Sequence, residues 1–316
     1  MRLRRIAHGL DETADFEPSA LTIGKFDGVH AGHRHLLRKV VEAARERNLV
    51  PSVLTFDRHP ACVVAPDRAP RPLLKVEDRC ARIAEEGIEQ ILVLPFTSQL
   101  AQMTPEEFAA SCLRNAMRAR IVLVGGNFRF GHKQAGNPLV LEELGRKYGF
   151  ETRIVEARSM RGRIVSTSEV RDAIAQGNAA LAARLLEKPY SISGEVVKGH
   201  GIGSQKTVPT LNLAPPDEVL PADGVYITRT HDHLGGRSWN SITNIGVRPT
   251  FEGDARTIET FLLEPLEGPS PPAIRVEFLR RVREERKFET PEALKQQIFK
   301  DVARAKAYFR RLQPHA

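Results

Sequence analysis

Hydrophobic and polar positions change rhythm twice along this chain. Over residues 18–190, short apolar runs alternate with segments whose apolar residues recur every three or four positions. Ala20–Ile23 is a brief apolar run ending at Gly24, and a helical pattern follows through Leu36, Leu37, Val40, Val41 and Ala44. Val50–Phe56, Gln90–Leu94, Ile121–Val124 and Thr152–Val155 read as strands, with helices predicted over Glu77–Glu86, Pro105–Arg118 and Leu139–Tyr148. Strands spaced by helices of this length predict a parallel sheet with crossover helices, a doubly wound α/β domain. Ligands of such sheets bind beyond the carboxyl ends of the strands.

Ser168–Glu187 reads as one helix with Val170, Ile174, Leu181, Leu185 and Leu186 on its apolar face, ended by Pro189. The texture then changes. Ile192–Val197, Val225–Thr230, Ser241–Ile245, Thr257–Leu263 and Ile274–Phe278 are short strands between Gly- and Pro-rich turns, which predicts an antiparallel barrel or sandwich. A helix from Pro291 closes the chain, with Leu294, Ile298, Val302, Ala305 and Phe309 on one face. The boundary is placed near residues 187–190, giving domains 1–187 and 188–316.

Composition narrows the classes. A chain of 316 residues exceeds the range of single cores, which agrees with two domains. No apolar run approaches the roughly 20 residues of a membrane span, and the basic start, Met1 to Phe16, carries acidic residues and no signal core, so a cytoplasmic location is expected. Cys62, Cys80 and Cys112 are far apart and odd in number, which points to reduced thiols rather than disulfides or zinc. A net charge of +8 suits anionic ligands such as nucleotides. The basic residues are dispersed and not interleaved with aromatics, which argues against a nucleic-acid-binding module.

The densest candidate chemistry is Thr22-Ile-Gly-Lys-Phe-Asp-Gly-Val-His-Ala-Gly-His33, between a strand and a helix. Gly24, Gly28 and Gly32 allow close backbone approach to a phosphate chain, and the helix start offers unpaired N–H groups. His30 and His33, three apart, face one side and can donate to phosphate oxygens as charge builds. Read alone, the two histidines with His35 are also a metal-ligand candidate, although no fourth ligand suggests itself. Ser166, Thr167 and Ser168 open another predicted helix, where hydroxyls cap or bind an anion. Arg171, one turn on, can grip the same anion with a bidentate fork.

Farther on, Gly199, Gly201 and Gly203 lie in a segment that runs through Lys206 and Pro209 to Thr210 and Asn212. Glycines there can expose N–H groups to phosphates. Thr210 and Asn212, two apart in an extended stretch, can share a hard cation through oxygen. No GxxxxGK[ST] loop is present.

These segments resemble the prokaryotic bifunctional riboflavin kinase/FAD synthetases. The string from Thr22 to His33 is similar to the HxGH motif of the nucleotidyltransferase superfamily. Leu54-Thr-Phe-Asp-Arg-His-Pro60, Val124-Gly-Gly-Asn-Phe-Arg-Phe-Gly131 and Val165-Ser-Thr-Ser-Glu-Val-Arg171 resemble the family's later loops, although Arg58 stands where proline is common. Pro209-Thr-Leu-Asn212, Leu220-Pro-Ala-Asp-Gly-Val-Tyr226, Asn244-Ile-Gly-Val-Arg-Pro-Thr-Phe251 and Arg256-Thr-Ile-Glu-Thr-Phe261 resemble its kinase half.

The resemblance implies a nucleotidyltransferase-type doubly wound sheet followed by an antiparallel β-barrel riboflavin kinase-like domain with a C-terminal helix. It implies phosphorylation of riboflavin to FMN and adenylylation of FMN to FAD, each using ATP with Mg²⁺. In the first half it assigns ATP to Gly24, Phe26, Asp27, Gly32, Asn127, Ser166, Thr167 and Arg171. It gives the flavin to Phe56, His59, Pro60 and Phe128, and catalysis to His30 and His33. In the second half it assigns ATP to Gly199, Gly201, Gly203 and Lys206, the metal to Thr210 and Asn212, and the general base to Glu259. The family's Gly-Arg-x-Leu-Gly-Phe-Pro-Thr run is altered here: Ser204 replaces arginine, Lys206 an aliphatic residue and Thr207 glycine. Three alternatives stay open at this level. They are a transferase for a nicotinate or pantetheine phosphate, an adenylyltransferase whose kinase-like half only binds flavin, and a nucleic-acid-binding module. Implied partners are riboflavin, FMN and ATP, with no nucleic acid and no membrane; self-association into a homo-oligomer is open.

Overall fold

The computed structural model describes residues 3, 5–160, 163–197, 210–233, 236–250 and 253–312. Contacts divide the chain into two compact units, Met1–Thr167 and Ser168–Ala316.

In the first unit, strands β1 (Arg5–Ala7), β2 (Ser19–Ile23), β3 (Val50–Phe56), β4 (Gln90–Leu94), β5 (Ala119–Gly125) and β6 (Glu151–Val155) make one sheet. Their order is β1-β4-β3-β2-β5-β6, and every pair is parallel. Side chains alternate between two cores, with Leu21, Ile23, Leu54, Leu92, Val122 and Val124 on one face and Ala20, Val53, Ile91, Val93, Ile121 and Leu123 on the other. Burial on both faces is why the strands read as apolar runs. The helix Ala31–Glu46 covers the second face through Leu37, Val40, Val41 and Ala44. The helix Pro138–Tyr148 covers the first through Leu141 and Leu144. Chain order reverses at β2: β3 and β4 build outward on one side, β5 and β6 on the other. The crevice beyond the carboxyl ends of β2 and β5 is therefore the topological switch point.

Two local features differ from the pattern. β1 carries no apolar run, and its parallel pairing with the edge of β4 is what makes it a strand. The predicted helix Pro105–Arg118 begins with a Thr104–Glu107 capping box but runs in a wider π register over Ala109–Ala116. Ala109, Cys112, Leu113 and Ala116 stay buried at three- and four-residue spacing, so periodicity alone does not separate the two registers. Strands β7 (Ser159–Met160) and β8 (Arg163–Ile164) form a small antiparallel pair.

In the second unit, β9 (Tyr190–Val197), β10 (Thr210–Leu213), β11 (Gly224–Asp232), β12 (Ser238–Thr250), β13 (Gly253–Leu262) and β14 (Ala273–Glu284) close into a barrel. The order is β10-β13-β12-β11-β14-β9, antiparallel throughout. Closure selects the barrel over the sandwich. Thr228, Thr230, Ser241, Thr243 and Thr260 are fully buried, joined by hydroxyl–hydroxyl bonds of 2.8–3.0 Å. Paired in this way, the hydroxyls avoid the penalty of burial without partners.

The predicted helix over 168–187 is two helices, Thr167–Ala175 and Ala179–Leu186. Gly177, at φ +71°, donates to Ile174 O while Asn178 N donates to Ala173 O, a left-handed stop that ends the first helix. A side chain at 177 would also meet the Tyr226 hydroxyl at 2.7 Å. Asn178 then caps the second helix through Leu181 N at 3.1 Å. Both helices fall in the second unit by contact, whereas the apolar pattern places the change of texture at Pro189.

The closing helix, Pro291–Leu312, packs Val302, Ala305 and Phe309 on Val225, Ile227 and Ile242. Its predicted apolar face needs correction at the start, because Leu294 and Ile298 are 43% and 40% exposed. Gln297 and Asp301 are buried there instead, and Arg283 Nε donates to Asp301 Oδ2 at 2.8 Å. Ion pairing with β14 turns that stretch of the helix away from the apolar stripe.

Candidate active sites

At the switch point, β2 delivers Gly24 to His30 into a loop tied to its neighbours. Gly24 N donates to Leu54 O at 3.1 Å, and Thr55 Oγ1 donates to Lys25 O at 3.2 Å. Asp27, 6% exposed, accepts from Leu73 N at 2.8 Å, which gives this carboxylate a loop-fixing role. Arg79, also buried, donates to Phe56 O; burial depresses its pKa, while Cys80, Asp27, Asp57 and Glu77 act in the opposite direction. Asp57 in turn accepts from Phe96 N at 2.8 Å. The ends of β2, β3 and β4 are thus joined. Phe26 and Val29 hold φ values of +49° and +45°, a conformation that costs non-glycine residues about 1–3 kcal/mol each and concentrates at ligand sites.

The helix Ala31–Glu46 starts under this loop. His30 is its N-cap, and its Nδ1 accepts from Gly32 N at 3.2 Å and His33 N at 3.4 Å. Acceptance at Nδ1 leaves the proton on Nε2 of the neutral ring. The His30 and His33 rings stack at 3.7 Å with 18° between planes, and Phe26 packs on His33 at 5.1 Å. Gly32 is required by close approach, since a Cβ there would lie 3.1 Å from the His30 ring and 3.3 Å from Val165 O. That contact brings the segment of Val165, Ser166 and Thr167 against the histidine turn. Burial lowers the His30 pKa to about 4. Burial first, then His30 and Lys25, hold His33 well below the usual histidine range. Both rings are neutral donors near pH 7.

An aromatic patch follows the ends of β3 and β5. Phe56 and Phe128 are partly buried against the same core cluster, Phe128 stacks on Phe130 at 5.4 Å, and Phe56 meets Phe96 edge-on at 5.4 Å. Gly125 O accepts from Phe128 N at 3.0 Å in the turn that exposes Asn127. His59 and Pro60 follow β3, with His59 Nε2 at 2.9 Å from Lys25 Nζ.

On the barrel, register gathers the second set. Asn212 of β10 pairs with Glu259 of β13, which pairs with Asn244 of β12. Directly opposed residues share a face, so these three polar side chains form a row across three strands. Thr210, two residues before Asn212, lies on that face and is exposed. Among the described residues no group of three His, Cys, Asp or Glu side chains is placed to hold a metal ion.

Residues 12–169 match the FAD synthetase family model and residues 186–309 the riboflavin kinase model. The bifunctional riboflavin kinase/FMN adenylyltransferase of Escherichia coli K12 is 35% identical over 314 residues, covering 99% of this chain and 100% of that protein. Its counterpart in Pseudomonas fluorescens is 33% identical, covering 97% of each. The chain belongs to the bifunctional riboflavin kinase/FMN adenylyltransferase family. A solved structure from Streptococcus pneumoniae, described as a macrolide-efflux protein, has the same fold, with TM-score 0.86, 27% identity, and coverage of 96% of this chain and 99% of that one. Among the described residues of this family member no helix is long and apolar enough to cross a membrane.

The first unit of this family member thus collects Gly24, Phe26, Asp27, His30, Gly32 and His33 with Phe56, His59 and Pro60, and Asn127 and Phe128 follow β5. Arg171 stands one turn into the helix Thr167–Ala175, within the second unit. Gly199, Gly201, Gly203, Ser204, Lys206 and Thr207 lie outside the described residues. Sequence reasoning passed over Lys25, Arg79, Phe96 and Asn244 as site residues. Asn244 was open to discovery as the polar partner that an antiparallel neighbour of Glu259 needs; a buried arginine such as Arg79 announces nothing in sequence.

The neutral His30 has a consequence for stability. The unfolded imidazole binds a proton below about pH 6.5, the folded one only near pH 4, so the unfolded state gains protons between those values. Stability of the first unit is therefore unaffected above pH 7 and falls as pH drops from 6.5 to 4, by on the order of 3 kcal/mol at the bottom of that window. Urea unfolding at pH 7.5 and pH 5 will show a lower midpoint at pH 5, and His30→Asn, which keeps a cap, will reduce the difference. Equal midpoints would refute the assignment.

Proposed function

We propose that this chain phosphorylates riboflavin to FMN and adenylylates FMN to FAD, at two sites on one chain. The observation that carries the first activity is the stacked, neutral His30–His33 pair at the helix start beside the switch point of a parallel sheet. An FMN phosphate oxygen attacks the α-phosphorus of ATP while the bond to pyrophosphate breaks. The Nε2–H of His30 and the His33 ring donate to the charge that builds on the leaving oxygens. Gly24, Phe26, Gly32, Asn127, Ser166, Thr167 and Arg171 hold the nucleotide; Phe56, His59, Pro60 and Phe128 receive the flavin. No protein nucleophile is needed.

In the barrel, Glu259 takes the proton of the riboflavin 5′-hydroxyl as its oxygen bonds to the γ-phosphorus of ATP and ADP departs. Thr210 and Asn212 present oxygen donors, the kind a magnesium ion takes. Few protein ligands suit this ion, which keeps water and substrate phosphates in its shell. When bound it neutralises phosphate charge. Gly199, Gly201, Gly203 and Lys206 are assigned to the nucleotide. The adenylyltransferase half is assigned to residues 1–187 and the kinase half to 188–316, with the enzyme in the cytoplasm. The riboflavin kinase model match over 186–309 gives no support to a flavin-binding half without catalysis.

The test is to incubate the purified chain with riboflavin, ATP and Mg²⁺ and to separate the flavins by chromatography. FMN appearing first and FAD after it is the expected result. FMN converted while riboflavin stays untouched would withdraw the kinase assignment, and no reaction with either flavin would withdraw both.

A further inference from the structure

We infer that Tyr226 and Arg281, on barrel strands β11 and β14, are positioning residues for Arg171 and through it for adenylyl transfer. This inference rests on the assignment above of Arg171 to the nucleotide of that reaction. Arg171 stands on the helix Thr167–Ala175, and all three residues belong to the second unit. A helix of nine residues is too short to be stable alone in water, so what it packs on decides where its side chains point. Val170, Ala173 and Ile174 form its buried face, and Arg171 follows directly on the first of them. Its carboxyl end is tied to the barrel. The Ala222 N–H, in the turn before β11, donates to Ile174 O at 3.3 Å, and the Gly177 N–H donates to the same oxygen at 2.8 Å.

Gly177 rests on a seat made by two opposed side chains. Tyr226 and Arg281 are register partners across β11 and β14, beside a step where the register shifts. Such a bulge re-aims the side chains next to it. Tyr226 is fully buried, meets Phe278 edge-on at 5.4 Å, and its hydroxyl donates to Ala222 O. Arg281 Nη2 donates to Asp223 O at 2.6 Å. These two bonds fix the turn whose Ala222 amide grips the helix. A Cβ at 177 would lie 2.7 Å from the Tyr226 hydroxyl and 2.9 Å from Arg281 Cδ, so contact as well as a φ of +71° requires glycine. The turn cannot settle closer to the barrel, and the bond from Ala222 keeps it from lifting. The helix that carries Arg171 therefore ends at a fixed point. Misplacing a binding group by 1 Å can cost about 10²-fold in rate. The polar row of Asn212, Glu259 and Asn244 lies on β10, β13 and β12, none of which carries the seat. A disturbance at the seat should reach adenylylation and spare phosphorylation.

The experiment uses the full chain and its Gly177→Ala, Arg281→Met and Arg281→Lys variants, with Arg171→Met as the reference. ATP is varied at saturating FMN, FMN is varied at saturating ATP, and riboflavin phosphorylation is followed alongside. Gly177→Ala is expected to raise the KM for ATP in adenylylation about tenfold, with the KM for FMN and the rate of phosphorylation changed by less than about twofold. Arg281→Met leaves the glycine turn unstrained and removes the bond to Asp223 O, so it tests the same seat independently; a smaller rise in the KM for ATP is expected. Arg281→Lys keeps a donor for that oxygen and is expected to recover part of the loss. Native constants for ATP in both Gly177→Ala and Arg281→Met, beside a defective Arg171→Met, would overturn the inference. A KM for FMN and a phosphorylation rate that worsen in step with the KM for ATP would overturn it too, because general loosening of the fold does that. An Arg171→Met variant with native constants would bring down the assignment of Arg171 to the nucleotide, and the inference with it, an outcome distinct from indifferent barrel variants.

Discussion

Replacing His33 by alanine will halt flavin conversion at FMN, lowering adenylylation by about 10²- to 10³-fold, the usual loss for one donor to a developing oxyanion. His33 stacks on His30 at 3.7 Å and meets Phe26 in a tilted contact at 5.1 Å, so its ring is held by packing before any substrate arrives. Its Nδ1 is buried with no hydrogen-bond partner among the described residues. A ring so placed, and kept neutral by burial, can serve the proposed step as a donor but not as a cation. The loss in His33→Ala should therefore persist at every pH between 6.5 and 8.5. Riboflavin phosphorylation by the same variant should stay near the native rate, which separates a lost donor from a misfolded chain. If the variant makes FAD at the native rate, the histidine pair is packing and not catalysis.

The mirror-image result is expected on the barrel. Glu259→Gln keeps the shape and the strand register but removes the base, and riboflavin phosphorylation should fall by about 10²- to 10⁴-fold. FMN supplied directly should still become FAD. The argument rests on register: Asn212, Glu259 and Asn244 stand opposite one another on β10, β13 and β12, and glutamine maintains a polar side chain in that row. Chromatography of the two reactions, run side by side on Glu259→Gln and His33→Ala, gives complementary defects if the sites are separate. A glutamine variant that phosphorylates riboflavin normally would remove Glu259 from the role of base.

Much of this was legible in the chain. The doubly wound sheet follows from apolar runs separated by helical periods, because strand stretches buried on both faces are mostly apolar, as Ile91–Leu94 of β4 and Ile121–Val124 of β5 are. The histidine turn was legible because Gly24, Gly28 and Gly32 punctuate it between a strand and a helix. The break between the helices Thr167–Ala175 and Ala179–Leu186 was missed by the apolar pattern, which reads one helix, although Gly177-Asn178 supplies a stop followed by a cap.

Other features exist only in three dimensions. β1 is a strand because the edge of β4 accepts it, and nothing in its three residues demands that. The barrel closes over an interior of threonine and serine hydroxyls, which in sequence resemble a solvated strand face and become core only when each finds another hydroxyl. The closing helix turns Leu294 and Ile298 outward because Arg283 draws Asp301 in. The contact of Lys25 with His59 spans 34 positions and arises from parallel strands that end side by side. By itself, then, the sequence determined most of the element types, the two-part plan and the histidine turn as a candidate site, because periodicity, caps and glycine punctuation act over a few residues. Tertiary structure decided closure, the paired polar interior and which charged side chains meet, because those depend on free energies that arise only between strands and helices far apart in the chain.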